Sequence, residues 1–239
     1  MKRIFLFPVT LLLLVNVCFS QTSLPATITF ERTVIQETNG EDGKSESVYH
    51  FTLNGDYAMA KREAQGEDEK AMILYTKEGK MCMIDEKKKT ITIMNMPKFL
   101  GDMGTAMKKE TAKKSIPKDD EDKMTVTKTG KTKTICGYPA YEYSITTEGG
   151  KSSWWYAQLD FDPIKIYTMG AGNSSMTDKL KNNPGMKDNP MAIPAMNKNY
   201  LMVELEAGGK KGLETKSISK ENFVFSTAGY TIKEMGRGF

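Results

Sequence analysis

From Thr27 to Ser219 the chain is dominated by short runs in which apolar and polar residues alternate, and most runs close on a turn signal. A period of two sends successive side chains to opposite faces of an extended backbone, so the pattern calls for strands. TITFERTVI (Thr27–Ile35) reads as the first. SVYHFTL and YAMAKRE flank Asn54-Gly55-Asp56, a hairpin turn in which Asn-Gly tolerates positive φ. AMILYT and KMCMI flank Lys77-Glu78-Gly79, and KTITIM follows the charged turn Asp85–Lys88. KMTVTKT, YPAYEYSI, KSSWWYA, IKIYT, YLMVELE and LETKSIS continue the series, with turns at Glu148-Gly149-Gly150 and Gly208-Gly209. About a dozen short strands joined this way predict one antiparallel sheet, strongly curved or closed.

Two segments break the alternation. In residues 97–116, Phe99, Met103 and Met107 fall four apart and form a helical apolar stripe among lysines. Residues 169–199 are rich in Asn, Pro and Met, and are long and apolar for a plain loop. They suit a lid or binding loop as well as a surface excursion. Both segments are expected to cover the sheet.

The stretch MCMIDEKKKTITIMNM (Met81–Met96) supports two readings. Thioethers and a thiol suit copper(I). A hairpin about a Glu86–Lys89 turn instead pairs Met81 with Met94, Cys82 with Ile93 and Ile84 with Ile91, and paired residues share a face. Cys82, Ile84, Ile91 and Ile93 then lie on one face, and Met81, Met83, Thr92 and Met94 on the other. Cys82 points away from its methionine neighbours, which disfavours a chelate. Both faces are apolar, so both need cover. Methionine adapts to irregular partners, and Met81, Met83, Met94 and Met96 are the candidate wall of an apolar site, with Met103 and Met107 as its cover.

The N-terminus carries Lys2 and Arg3, an apolar run from Ile4 to Val17, and then Cys18-Phe19-Ser20. This reads as a signal peptide over residues 1–20, cleaved after Ser20, because the run is short for a membrane span. Lipid attachment at Cys18 is the competing reading; Val17 is branched where a small residue is favoured. Residues 21–239 then form a single domain, exported to the periplasm or exterior of a Gram-negative bacterium. It is expected to be monomeric, with at most peripheral membrane contact. Loss of Lys2 and Arg3 lowers the formal charge from +4 to +2, which gives no sign of a nucleic-acid partner. Cys82 and Cys136 are free to pair in an oxidising compartment, and each equally suits a small buried hydrophobe.

Catalytic signatures are missing. His50 is the sole histidine, and it reads as an ordinary imidazole on a strand. The sequence has no nucleophile elbow, no phosphate-cradling glycine motif and no zinc spacing. Asp160 and Asp162 in LDFDP read as a polar turn before Pro163 rather than as a catalytic pair. The aromatic cluster Tyr138, Tyr141, Tyr143, Trp154, Trp155 and Tyr156 reads as cross-strand packing, with a sugar-stacking platform as the alternative. Catalytic residues, cofactors and metals are therefore expected to be absent.

The order of motifs resembles a known family. KMCMIDEKKKTITIM looks like the Met-rich hairpin of the domain of unknown function 4412 family. KTGKTKTICGYPAYEYSI followed by SSWWYAQLD looks like its central strands. FVFSTAGYTIKEM resembles its closing signature, with Thr227 where proline is usual. The resemblance implies a half-barrel like the periplasmic lipoprotein carriers of the LolA and LppX type: a curved sheet around an apolar cavity, with helical cover. It implies binding or carriage of a lipid-like ligand. The alternative is an envelope interaction module with a packed interior. Intact mass of the protein from its native host should place Gln21 at the N-terminus; a diacylglyceryl adduct on Cys18 would overturn that reading.

Overall fold

The computed structural model describes residues 24–40, 43–64, 71–95, 125–163, 166 and 199–235. These form fourteen strands in chain order: β1 (Thr27–Phe30), β2 (Arg32–Gly40), β3 (Gly43–Phe51), β4 (Tyr57–Ala64), β5 (Ala71–Thr76), β6 (Lys80–Asp85), β7 (Thr90–Asn95), β8 (Thr125–Ile135), β9 (Tyr138–Thr147), β10 (Gly150–Gln158), β11 (Tyr200–Ala207), β12 (Lys210–Ser219), β13 (Phe223–Ser226) and β14 (Thr231–Glu234). Twelve make one large, curved, open sheet in the order β14-β7-β6-β5-β4-β3-β2-β12-β11-β10-β9-β8; β1 and β13 make a separate two-stranded sheet.

The local hairpins follow from their turns. Gly55 and Gly79 adopt φ of 70° and 75° between β3 and β4 and between β5 and β6, where glycine meets no steric penalty. The β6–β7 register is the one the Met-rich stretch predicts: Met81 opposes Met94, Cys82 Ile93, Met83 Thr92 and Ile84 Ile91. Pairing extends these contacts into rows. On one face Ile93, Cys82, Leu74, Met59 and His50 stand side by side across β7 to β3.

The β1–β13 pair covers this face. Leu24, Ile28, Phe30 and Phe225 are buried in one cluster with Met59, Met72, Leu74, Cys82, Ile84, Ile91 and Ile93. Truncating a fully buried phenylalanine such as Phe30 costs about 3–5 kcal/mol. Thr227 fixes the end of the clasp: its amide donates to the Ala26 carbonyl at 3.0 Å and its hydroxyl to the Pro25 carbonyl at 3.0 Å. A proline here has neither donor, so the departure from the usual signature adds two bonds.

The other half of the sheet carries β8 to β12. Its aromatics pack across strands, as the sequence suggests: Tyr143, Ile145, Tyr156 and Tyr200 form a cluster, and the Tyr141 and Tyr200 rings stack at 5.9 Å. The chain after β10 lies against the end of β2 and β3. Asp160 accepts from Arg32 at 2.7 Å and from the Tyr138 hydroxyl at 2.9 Å, and Phe161 meets Phe51 at 4.9 Å between ring centres. Three strands separate β3 from β10 in the sheet, so these contacts join its two halves through one core cluster. Asp160 is thus an anchor, in keeping with the polar-turn reading; Arg32 beside it holds its carboxyl down at about 2.

Three expectations need correction. The run Thr27–Ile35 is two strands, broken at Glu31, which belong to different sheets. The main sheet is not wholly antiparallel, because β14 adds to β7 in parallel. Ile166, expected within a strand, lies in a helical turn where its amide donates to the Pro163 carbonyl at 3.1 Å. The expected signal, helix and lid segments, 1–20, 97–116 and 169–199 save Asn199, lie outside the described residues. Cys82 and Cys136 are both free thiols.

His50 ends up beneath the clasp. Its ring stacks on Phe223 at 4.0 Å, lies 5.9 Å from Phe30, and shares a 2.9 Å hydrogen bond with the Thr33 hydroxyl. Burial, helped by the nearby Lys61 charge, pushes its pKa down from 6.5 to about 4. The unfolded chain therefore binds this proton first, and stability falls as pH drops from about 6.5 towards 4. The shift corresponds to about 3 kcal/mol in all. Urea unfolding at pH 7, 6 and 5 should show this loss in the wild type and a much flatter profile in His50→Phe, since no other histidine titrates there.

Candidate functional site

Two surfaces carry chemistry worth weighing. The first is the face of β2 to β7 opposite the clasp. Cross-strand pairing sets Met94, Met81, Tyr75, Ala58 and Phe51 in one row, and Met83, Ile73, Ala60, Tyr49 and Val34 in the next. Burial grades along the second row, from Val34 at 0% exposed, through half-buried Tyr49, Ala60 and Ile73, to Met83 at 38%. Met94 is buried against half-buried Met81. The structure thus brings Met81, Met83 and Met94 together on one apolar face. Met96, Met103 and Met107 lie outside the described residues.

Cys82 faces the other way, wholly buried under the clasp, and burial pushes its thiol up to about 12. It shares no face with the methionines, so the hairpin does not present a Met-Cys-Met set to one metal ion. Among the described residues no group of three or more His, Cys, Asp or Glu side chains is placed to hold a metal.

The second surface is a polar cavity of about 470 Å³ over β8 to β11, which the sequence reading did not single out. Trp155 on β10 pairs with Glu142 on β9 and Glu204 on β11, so two carboxylates flank one indole on the same face. All three residues are buried. Glu142 accepts from Ser153 at 2.6 Å and Thr129 at 2.7 Å, and pairs with Lys131 at 3.2 Å. These bonds hold its carboxyl down at about 2, against the opposing effect of burial. Glu204 pairs with Lys133 at 2.5 Å and Lys211 at 3.3 Å. Lys133 also stands 4.1 Å above the Trp155 ring, a cation–π contact.

The ion pairs continue from β11 towards β3. Lys211 meets Glu214 at 2.8 Å, Glu214 meets Lys216 at 2.6 Å, Lys216 reaches Glu37 at 3.7 Å, and Glu37 holds Lys44 at 2.9 Å. The outer links are solvent-screened and stabilise little singly. Glu142 stays ionised far below neutral pH, so it has no proton to give as a general acid there. The arrangement is suited to accepting and donating hydrogen bonds.

The signal for this cavity was present but ambiguous. YEYSI and VELE each place an acid within an apolar alternation, which normally marks the solvent face. Only the pairing of β9, β10 and β11, with bulges at Trp155/Tyr156 and Leu205/Glu206, shows that these acids converge on Trp155.

Against known proteins, a family model described as Domain of unknown function (DUF4412) matches residues 41–225. None of the curated proteins matches the chain. Among solved structures, PNGF-II in a C2 crystal form is similar with a TM-score of 0.39 and 11% identity, over 87% of this chain and 31% of that one. The chain therefore spans about a third of PNGF-II. An uncharacterized conserved protein from Thermus thermophilus is similar with a TM-score of 0.39 and 6% identity, over 85% of this chain and 90% of that one. At these TM-scores the likenesses carry no argument about activity, and they lend no support to the expected kinship with lipoprotein carriers.

Titration with copper(I) under a competing chelator should reveal no stoichiometric high-affinity site. Tight one-to-one binding that Cys82→Ser abolishes would overturn the packing reading of the Met-rich hairpin.

Proposed function

This chain belongs to the domain of unknown function 4412 family, and we propose that it is an exported, non-enzymatic binding protein for an apolar, lipid-like ligand held on the methionine face. One observation carries the reading. Strands β5 to β7 are apolar on both faces; the clasp buries one, while the other leaves Met83 at 38% exposure beside half-buried Ile73 and Met81. An apolar row that runs across the sheet and stays partly open is a place for a flexible apolar partner.

Methionine suits such a wall. It has several rotatable bonds and a polarisable sulfur, so it repacks around chains of different shape. Burying ten methylenes of an acyl chain contributes roughly 8 kcal/mol gross, at about 0.8 kcal/mol each. Ordering the chain and its cover takes back a good part of that. An affinity no tighter than about micromolar is the expectation for a chain of that length. Met96, Met103 and Met107 are proposed to complete the wall and its cover. The monomeric state, any peripheral membrane contact and the Gram-negative envelope location are parts of the same proposal.

Protein purified without detergent should carry extractable lipid, or take up a fluorescent fatty acid after delipidation. Met83→Asp places a charge on the exposed end of the row, and should abolish uptake while circular dichroism keeps the strand signal. If wild-type protein neither carries nor takes up an apolar ligand, the reading fails and the methionines are packing for an interaction module.

A further inference from the structure

We infer that the cavity around Trp155 is a second binding site, and that its ligand is a short neutral saccharide. The cavity holds about 470 Å³, within the usual range for small-molecule sites of about 300–1,000 Å³. Its lining includes the Gly208-Gly209 turn, which contributes backbone and no side chain.

The lining selects the ligand by elimination. Lys131, Lys133 and Lys151 are matched by Glu142, Glu204 and Glu206. The formal charge of the lining is balanced, so no net field draws in a phosphate, a sulfate or a nucleic acid. Each buried carboxylate is already neutralised by lysine at 3.3 Å or less, which leaves no demand for a metal cation. Trp155 is the single large apolar side chain among the lining residues, too little apolar surface for an acyl chain.

What remains is a partner with many hydroxyls and one modestly apolar face. An ionised carboxylate has about four acceptor positions. Glu142 uses three of them on Ser153, Thr129 and Lys131, and Glu204 two on Lys133 and Lys211. The positions left over accept from sugar hydroxyls, and the lysine ammonium groups donate to sugar oxygens. Ser144 lines the same wall as Glu142, two residues along β9. Lys133, above the indole at 4.1 Å, occupies the place where a pyranose face stacks; on binding it swings aside while keeping Glu204.

The test is the purified full chain, fluorescently labelled, on a printed array of neutral, sialylated and sulfated glycans. Calorimetry then follows with the best neutral glycan. Wild-type protein is expected to retain neutral glycans, with little loss at high salt. Ser144→Leu fills the cavity without touching the ion pairs and should weaken binding by about tenfold or more. Trp155→Phe keeps an aromatic core residue but shrinks the stacking surface, and should weaken binding severalfold. Retention of no neutral glycan overturns the inference. So does capture of sulfated or sialylated glycans alone, fading with salt. Neutral-glycan binding that neither variant weakens places the site elsewhere and overturns it equally.

Discussion

Strands β5 to β7 have no polar face to offer to water. Leu74, Cys82, Ile84, Ile91 and Ile93 project to one side, and Ile73, Tyr75, Met81, Met83 and Met94 to the other. Leaving either face in water forfeits about 25 cal/mol for each Å² of apolar surface, so the rest of the chain has to arrange cover. On the first side it does so with its two ends. β1 leaves the run of β2 at Glu31, whose amide bonds the Phe51 carbonyl at 3.0 Å and whose carboxylate accepts from the Leu53 amide at 3.0 Å. Freed from the main sheet, β1 pairs with β13 and lays Ile28, Phe30 and Phe225 over the isoleucines and Cys82. The depressed pKa of His50 is a by-product of that closure. A clasp built from both ends of the described chain also places long-range contacts at the centre of stability, a topology associated with slow folding.

The strands from β8 to β12 solve the same problem differently. β9 and β10 put tyrosines and Trp154 on one face, where they cover one another, and set Glu142, Ser144, Ser153 and Trp155 on the other. Burying two carboxylates there costs desolvation that only close partners offset. Hydroxyls from Thr129 and Ser153, together with the partly exposed Lys131, Lys133 and Lys211, supply those partners. The polar groups of this surface are interdependent, because Glu204 shares its partner Lys211 with Glu214. The sheet thus carries an apolar face on β5 to β7 and a polar cavity over β8 to β11, with β4, β3, β2 and β12 between them.

How much of this is readable from sequence follows the range of the interactions. The Met-rich hairpin was legible to the residue, since a four-residue turn and strict alternation determine which partners meet. The Asn54-Gly55 and Gly208-Gly209 turns were legible for the same local reason. The break at Glu31 was not: alternation runs through it, and what splits the strand is a pair of hydrogen bonds to Phe51 and Leu53, beyond the next hairpin. The pairing of β2 with β12 leaves no local trace at all. The polar cavity depends on the pairing of β9, β10 and β11, so its acids read only as solvent-facing positions.

The choice of methionine over leucine or isoleucine on the open face bears on which reading of that face is sound. Beneath the clasp, where partners are fixed, the hairpin uses Cys82, Ile84, Ile91 and Ile93, side chains with well-defined shapes that suit a unique packing. Across the same two strands, where burial falls from 8% exposed at Met94 to 38% at Met83, it uses three unbranched thioethers beside Thr92. Backbone and strand propensity are the same for both faces of one hairpin, and β-branched residues favour strands. Propensity therefore argues for isoleucine on both sides, and the difference has to come from what each face meets. A fixed neighbour rewards a stiff side chain; a variable one rewards a side chain that can repack. Met59 and Met72 are also buried beneath the clasp, so what distinguishes the open face of the hairpin is thioethers at partly exposed positions, the feature on which the proposed ligand reading rests.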